Sequence, residues 1–506
     1  MCITTQIWLV LPYCNRYRIC IFHYNRLEVI KTPAYIQLAD KITLLINKGV
    51  YRQGDKLPSL RSIHRENGIS IGTALEAFRH LLDKGLITAH EKSGYFVSDT
   101  SSNALPLPAV LPATLSQHSI HIYELIQRVR KEGTGKDFIS FANALPDHRL
   151  LPFNGIKRAI QETSRDASGA YLALEAAKGN RQLRQAIAKR AFTWGGSLHM
   201  DDVIVTNGTM EAITLCLRTV TQPGDTVLIQ SPCYYGIMEA LEYLGLKAVS
   251  IPSHPETGIA LPQLESACDR LNIKACLLVS NFNNPDGASL STAAKQYIAA
   301  FAAKRKMPVI EDDIYGDLFF GTRRPDTIKT YDKHGWVMLC SSFSKSLFPG
   351  FRMGWCAPGR FAYEVERFKS MNNIASCNFS QRTLQLLLHG GTYNRHLQQF
   401  RTALQKNMLK TLQLVEKHFP EGTRATKPQG GLVLWLELPQ HINAAALQEA
   451  ALEKNVALAP GEIFSATGQY KHYIRLSYCN LWSAKTEKAL IKLGQLCQGF
   501  AAKLGA

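Results

Sequence analysis

Ser341-Ser342-Phe343-Ser344-Lys345, followed by Pro349-Gly350-Phe351-Arg352, is the stretch on which the reading of this chain turns. A lysine is ordinarily a solvated surface residue. Lys345 instead lies among Phe343, Leu347 and Phe348, and such a setting desolvates an ammonium and lowers its pKa. Apolar runs flank the stretch, Trp336–Leu339 before it and Met353–Cys356 after it, and both read as strands. The connection Phe343–Arg352 contains Pro349 and Gly350 and is too broken to hold a crossover helix. One strand of the pair is therefore expected to run antiparallel.

Working upstream, strand-like runs recur at Val203–Val205, Thr226–Ile229, Ala248–Ile251, Ala275–Val279 and Pro308–Ile310, with helical patterns in most gaps. This alternation predicts an α/β fold with a mainly parallel, seven-stranded sheet. Chemistry-bearing residues follow the strands in order: Asn207-Gly208-Thr209, Tyr234, Asn284-Pro285, then Asp312 with Tyr315 three residues on. The glycine turn at 207–209 precedes a helical run from Met210. It presents N–H groups and a hydroxyl at a helix start, where anions are favoured. Asp312 falls at a strand's C-terminal end, the usual place for ligand sites in α/β sheets. Arg475, in Tyr473-Ile474-Arg475-Leu476-Ser477, comes after the whole set.

A chain of 506 residues is too long for one core, so two or more domains are expected. The formal charge of +18 favours nucleic acid or another polyanion as partner. Lys31–Ser98 carries ten Lys/Arg against six Asp/Glu, a net of +4, so most of the excess lies elsewhere. Twelve cysteines show no CxxC pair and no repeated spacing. That argues against a metal site or a disulfide framework and for reduced thiols in a cytoplasmic protein. No apolar stretch approaches the roughly 20 residues that span a bilayer. Residues 1–30 hold an apolar run, Ile7–Pro12, with Arg16, Arg18 and Arg26 after it. A signal peptide has its charge first. The segment is expected to be a poorly ordered extension or the product of a start codon placed too far upstream.

Residues 31–98 have a different rhythm. Tyr35–Lys48 carries a helical stripe at Ile36, Leu38, Ala39, Ile42, Leu45 and Ile46, ended by Gly49. Ser59 is placed to cap a second helix that Gly68 ends, and Ser70 to cap a third with Ala74, Ala77, Phe78, Leu81 and Leu82 inside. Leu86–Ala89 and Tyr95–Val97 read as two short strands around Lys92-Ser93-Gly94. Residues 99–135, with Pro106, Pro108 and Pro112, read as a stiffened linker with a short helix over Ile120–Arg130. The rest, 136–506, is the α/β body, in which Phe138–Ile160 and the part after Gly391 would form a smaller domain.

These two patterns resemble known families. The ordered set around Lys345 is similar to fold-type I pyridoxal phosphate (PLP) aminotransferases of class I/II. Gly54-Asp55-Lys56-Leu57-Pro58-Ser59-Leu60-Arg61, Ser70–Leu82 and Ser93-Gly94-Tyr95-Phe96-Val97 resemble the signature, recognition helix and wing of GntR-type winged helix-turn-helix regulators. The two together resemble the MocR branch of that family. The resemblance implies Lys345 as the Schiff-base lysine. Asn207, Gly208, Thr209, Ser342 and Arg352 would hold the phosphate, and Asp312 the ring nitrogen. Tyr315 and Asn284 would reach the phenolic oxygen, and Tyr234 would stack on the ring. Tyr171 would reach the cofactor of a neighbouring subunit, which implies a homodimer. Arg475 would clamp the α-carboxylate of an amino-acid ligand. Arg61, His64, Arg65, Ser70 and Thr73 remain as DNA-contact candidates. Many relatives carry an arginine after the Ser, whereas this chain has Ile71-Gly72, so bidentate base reading is not expected there.

The function expected from all this is a PLP-dependent transcriptional regulator of operator DNA, controlled by an amino acid or similar effector. A working aminotransferase with a secondary DNA module is the alternative. A sensor of PLP itself is a third reading, against which Arg475 weighs, since such a sensor needs no carboxylate clamp.

Overall fold

The computed structural model describes residues 33–52, 54–83, 85–90, 93–97, 105–113, 115–120, 123, 126–127 and 138–502. The extension over 1–30, Lys92 of the wing and most of the expected helix Ile120–Arg130 lie outside these residues. The chain divides into two compact units, Met1–Ser98 and Asp99–Ala506.

The first unit contains α1 (Ala34–Asn47), α2 (Leu60–Asn67) and α3 (Ile71–Asp83), then β1 (Ile87–His90) and β2 (Gly94–Val97). Its helix ends follow capping chemistry. Ser59 Oγ accepts Ser62 N–H at 3.1 Å, and Ser70 Oγ accepts Thr73 N–H at 3.0 Å. Gly68 closes α2 at φ 65°, in the left-handed region. Ala74, Ala77, Phe78 and Leu81 of α3 are fully buried against Leu38, Ala39 and Ile42 of α1 and Ile63 of α2. β1 and β2 pair antiparallel from Ile87–Val97 to His90–Gly94 and form the wing. Phe78 meets Tyr95 edge-on, with ring centroids 4.7 Å apart, which fixes the wing to the recognition helix.

The second unit is built on a nine-stranded sheet. Its members are β3 (His118–Ser119), β5 (Ile204–Thr206), β6 (Thr226–Ser231), β7 (Lys247–His254), β8 (Gly258–Ile259), β9 (Ile273–Val279), β10 (Val309–Asp312), β11 (Val337–Ser342) and β12 (Gly354–Ala357). β4 (Ile139–Ser140) lies outside it, paired with Val456–Ala457. The order is β3-β7-β6-β9-β10-β11-β12-β5, with β8 on β7. The seven strands expected from sequence are all present, and two two-residue strands extend the sheet. β12 runs antiparallel to both β11 and β5, as the short connection required. β5, β6, β9, β10 and β11 therefore point one way, and their C-terminal ends share one edge. The near-continuous apolar strands reflect a sheet covered on both faces.

A second sheet joins Val433–Glu437 to Tyr473–Ser477, with Arg475 opposite Trp435 and Ala459. The proline-rich segment read as a linker is docked chain over its described part. Pro106 O accepts Ala425 N–H, Ala109 N–H reaches Glu437 at 2.7 Å, and β3 adds to the sheet edge beside β7. Prolines leave few N–H groups to satisfy, so such a strip can lie along a surface at low cost.

Candidate functional site

The C-terminal edge of the sheet gathers the residues singled out by sequence. Asn207-Gly208-Thr209 follows β5, Tyr234 follows β6, Asn284 follows β9, Asp312 ends β10, and Ser342 ends β11, three residues before Lys345.

Gly208 is the N-cap of the helix Thr209–Val220 and sits at φ 87°, ψ 173°, a conformation essentially restricted to glycine. A Cβ there would come 2.8 Å from Arg352 Nη2. The turn and the guanidinium are thus packed as closely as a glycine permits. Arg352 is itself left-handed, at φ 52°, and its Nη1 lies 3.4 Å from Ser344 Oγ. Ser342 Oγ lies 2.8 Å from Met353 O and accepts Ser344 N–H at 3.0 Å, so β11, Ser344 and the start of β12 are locked together. Thr209 Oγ1 is buried without a hydrogen-bond partner among the described residues. A helix start, an arginine and an orphaned hydroxyl converge on one spot, and this donor set fits a phosphate.

Lys345 Nζ donates to Ala144 O at 2.8 Å. Burial, with the positive charges of Arg475 and Arg352, pushes its pKa down to about 8, against the opposing pull of Cys479 and Asp312. Asp312 has the reverse shift. Burial, reinforced by Asp313 and Glu311, holds its carboxyl up at about 7. The two adjacent aspartates are used differently. Asp313 pairs with Arg324 at 2.6 Å and accepts Asn281 Nδ2 at 2.7 Å. Asp312 accepts Ile314 N–H at 3.1 Å and has no ion pair among the described residues. Asn284 Nδ2 donates to Tyr315 Oη at 3.3 Å, and its Oδ1 accepts Arg475 Nη1 at 3.2 Å. Tyr234 packs against Tyr235 at 4.6 Å between ring centroids, and burial pushes its phenol well up.

Arg475 is 1% exposed. Its Nη2 donates to Ala142 O, and its Nε has no partner among the described residues. Among the described residues no carboxylate lies within ion-pair distance of it. A buried guanidinium left without a counter-charge is costly, and an arriving carboxylate would relieve that cost. Tyr171 is placed apart from this group. It meets Phe379 edge-on at 5.8 Å and shares no hydrogen bond with the Lys345 set among the described residues.

Sequence reasoning missed the loop Ala142–Leu145. Its carbonyls accept from Arg475 (Ala142), Lys345 (Ala144) and the Cys479 thiol (Leu145, 3.1 Å). The loop contributes backbone oxygens, and the side chains of Ala142-Asn143-Ala144-Leu145 advertise none of them. Ser344, in the same stretch as Lys345 but with no role of its own read from sequence, lies 3.4 Å from Arg352 Nη1 through its Oγ.

A model of the bacterial regulatory proteins of the gntR family matches residues 34–97, and a model of aminotransferase class I and II matches residues 140–493. The HTH-type transcriptional regulator YdcR of Escherichia coli strain K12 is 34% identical over 92% of this chain and 99% of its own length. A second regulator of that strain, YjiR, is 33% identical over 91% of this chain and 98% of its own. The chain belongs to the MocR-type regulators. Its body also resembles the structure of LysN, the α-aminoadipate aminotransferase of Thermus thermophilus, complexed with N-(5'-phosphopyridoxyl)-L-leucine. That match has a TM-score of 0.69 at 27% identity, over 75% of this chain and 95% of that one.

In the DNA module of this MocR-type regulator, Arg61 and Arg65 lie exposed on α2. His64 is less free than the sequence suggests, since its Nδ1 lies 2.5 Å from Ile69 O and braces the turn between α2 and α3. The hydroxyls of Ser70 and Thr73 are 2.8 Å apart and partly occupied with each other. Ile71, 47% exposed, heads α3 beside Gly72. The tip of α3 therefore offers an apolar side chain and a bare backbone in place of a long donor.

Proposed function

We propose that the protein is a PLP-dependent transcriptional regulator that binds operator DNA as a homodimer and alters that binding when an amino acid occupies its body. The observation that carries this reading is the buried Arg475 near Lys345, with no carboxylate partner among the described residues, on a chain that also carries a winged helix. Such an arginine suits a ligand that carries a carboxylate.

PLP, when bound, supplies an electron sink and a reactive aldehyde. Asn207, Gly208, Thr209, Ser342 and Arg352 would hold its phosphate. Asp312 would face the ring nitrogen, Tyr315 with Asn284 the phenolic oxygen, and Tyr234 the ring face. Lys345, its pKa pushed down to about 8 by burial, keeps a minor neutral fraction at physiological pH, far more than an ordinary lysine, and can take or give a proton at Nζ. Arg475 would orient the ligand through its carboxylate. Tyr171 would act on the partner's cofactor. Leu172 and Leu174, 79% and 78% exposed beside it, are apolar surface that a two-fold partner would bury. Among the described residues no helix is long and apolar enough to cross a membrane, and a DNA partner fits a cytoplasmic protein.

A ligand shifts DNA binding only by its differential affinity for two arrangements of the protein. The test follows from that. Full-length protein is titrated on a duplex selected from a random pool, with and without each of a panel of amino acids, while the cofactor spectrum is recorded. An amino acid that changes both the spectrum and the DNA affinity supports the reading, and Arg475→Ala should abolish both responses. Lys345's low pKa also favours a second reading, catalysis of transamination. Many turnovers of amino acid to keto acid, with no sequence preference on DNA, would replace the first reading by the second.

A further inference from the structure

We propose that a basic cleft on the edge of the sheet opposite Lys345 binds the phosphate backbone of duplex DNA. It supplies sequence-independent affinity beyond what the winged module provides. The inference rests on the DNA-binding reading above.

The cleft measures about 610 Å³. Three elements build it, and each arrives at the same edge. The helix Thr292–Arg305 ends there, just before β10 begins. Residues Lys333–Trp336 lead into the start of β11. Arg360 follows the end of β12, which runs antiparallel and so finishes where its neighbours begin. The site described above occupies the other ends of these strands.

Lys304, Lys306, Lys333, His334 and Arg360 line the cleft, and no carboxylate does. Among the described residues none of these five makes an ion pair. Arg360 lies 4.3 Å over the Trp336 ring, which holds the guanidinium in place and leaves its charge uncompensated. A modest explanation covers part of the cluster. Lys304 and Lys306 stand at a helix C-terminus, where the dipole favours cations. It does not cover Lys333 or Arg360, which come from two other elements. Arg305, on the same helix end, pairs with Asp269 and is excluded from the cleft.

The charge distribution points the same way. Of the formal +18, Met1–Ile30 contributes +2 and Lys31–Ser98 contributes +4, which leaves +12 on residues 99–506. Unpaired like charges collected around one concave surface raise the local potential and attract a polyanion. In a protein that already carries a DNA-reading module, the polyanion at hand is DNA. Backbone contacts of this kind add affinity and salt dependence without reading bases.

The test uses full-length protein with its cofactor bound. Affinity is measured by fluorescence anisotropy across a salt series, on a duplex selected for binding and on a scrambled duplex of equal length. The variant replaces Lys304, Lys306 and Lys333 together by serine, and a second variant replaces all three by arginine. These lysines are exposed, so melting temperature and cofactor spectrum should not change. Each lost phosphate contact flattens the slope of log K against log salt by about 0.9, so the serine variant should lose up to about 2.7. Affinity should weaken on both duplexes by the same factor, leaving sequence preference intact, and the arginine variant should restore it. A serine variant with wild-type slope and affinity overturns the proposal. So does one that loses binding of inorganic triphosphate alone, which would assign the cleft to a small anion. If wild-type protein binds duplex without any sequence preference, the regulator reading fails while the slope still decides the cleft.

Discussion

Gly208→Ala separates a phosphate cradle from an ordinary strand–helix joint. At φ 87° and ψ 173° the backbone lies where an L-residue costs about 1–3 kcal/mol. That strain is present with or without cofactor, so it lowers the melting temperature and leaves cofactor affinity untouched. The second effect is local. The new Cβ would sit 2.8 Å from Arg352 Nη2, and the guanidinium must move. If that guanidinium serves a phosphate, the loss is one charge-assisted hydrogen bond, about 1.5–3 kcal/mol. The dissociation constant for PLP should then rise roughly ten- to a hundredfold. Gly224→Ala is the control. Gly224 has φ 92°, and nothing lies within 4 Å of an added Cβ. It should carry backbone strain and leave PLP binding alone. The assay is spectrophotometric titration of cofactor-free protein with PLP, alongside thermal melting of each variant. A Gly208→Ala protein that melts lower yet binds PLP within twofold of the Gly224→Ala control would refute the assignment of this turn and Arg352 to the phosphate.

Three other outcomes are expected. Borohydride should fix PLP covalently on wild-type protein and not on Lys345→Ala, as read by peptide mass. Capture of PLP by cofactor-free protein needs the neutral amine, so its rate should rise with pH through a midpoint near 8 and then level off. At pH 8 about half of Lys345 is then neutral, against about 0.3% for an ordinary lysine, a gain of roughly 150-fold; a midpoint near 10.5 would show that burial does not act on Lys345 as described. Light scattering at micromolar concentration should show a dimer, and Leu172→Glu with Leu174→Glu should shift it toward monomer while α1–α3 remain folded by circular dichroism.

Where side-chain chemistry recurs at a fixed place along the chain, the sequence was informative. Seven strands of the sheet were readable because strands buried on both faces carry unbroken apolar runs. The caps Ser59 and Ser70 were readable because a hydroxyl before an apolar stripe has one inexpensive use. The reversal of β12 followed from a connection too short for a helix. Two-residue strands such as β3 and β8 carry no periodicity, and nothing in His118-Ser119 distinguishes it from the coil around it. The docking of the proline-rich strip was hidden for a related reason. Its contacts are made by its own backbone to partners more than 100 residues away, such as β3 to β7 and Ala109 N–H to the Glu437 carboxylate.

The loop Ala142–Leu145 shows why a site can be half legible. Lys345, Arg475 and Cys479 all donate to its carbonyls. Carbonyl oxygens belong to every residue, so no spacing of residue types marks them. Their consequence is chemical. A carboxylate ligand at Arg475 competes with Ala142 O for the guanidinium, and a covalent cofactor on Lys345 removes donors from Ala144 O. Each event would free an acceptor on the same short loop, which lies two residues beyond β4 and its pairing with Val456–Ala457. In the proposed reading, ligand occupancy would thereby change what holds one backbone segment. A sensor of the kind proposed requires such a conversion, and a surface arginine paired with a neighbouring carboxylate could not supply it.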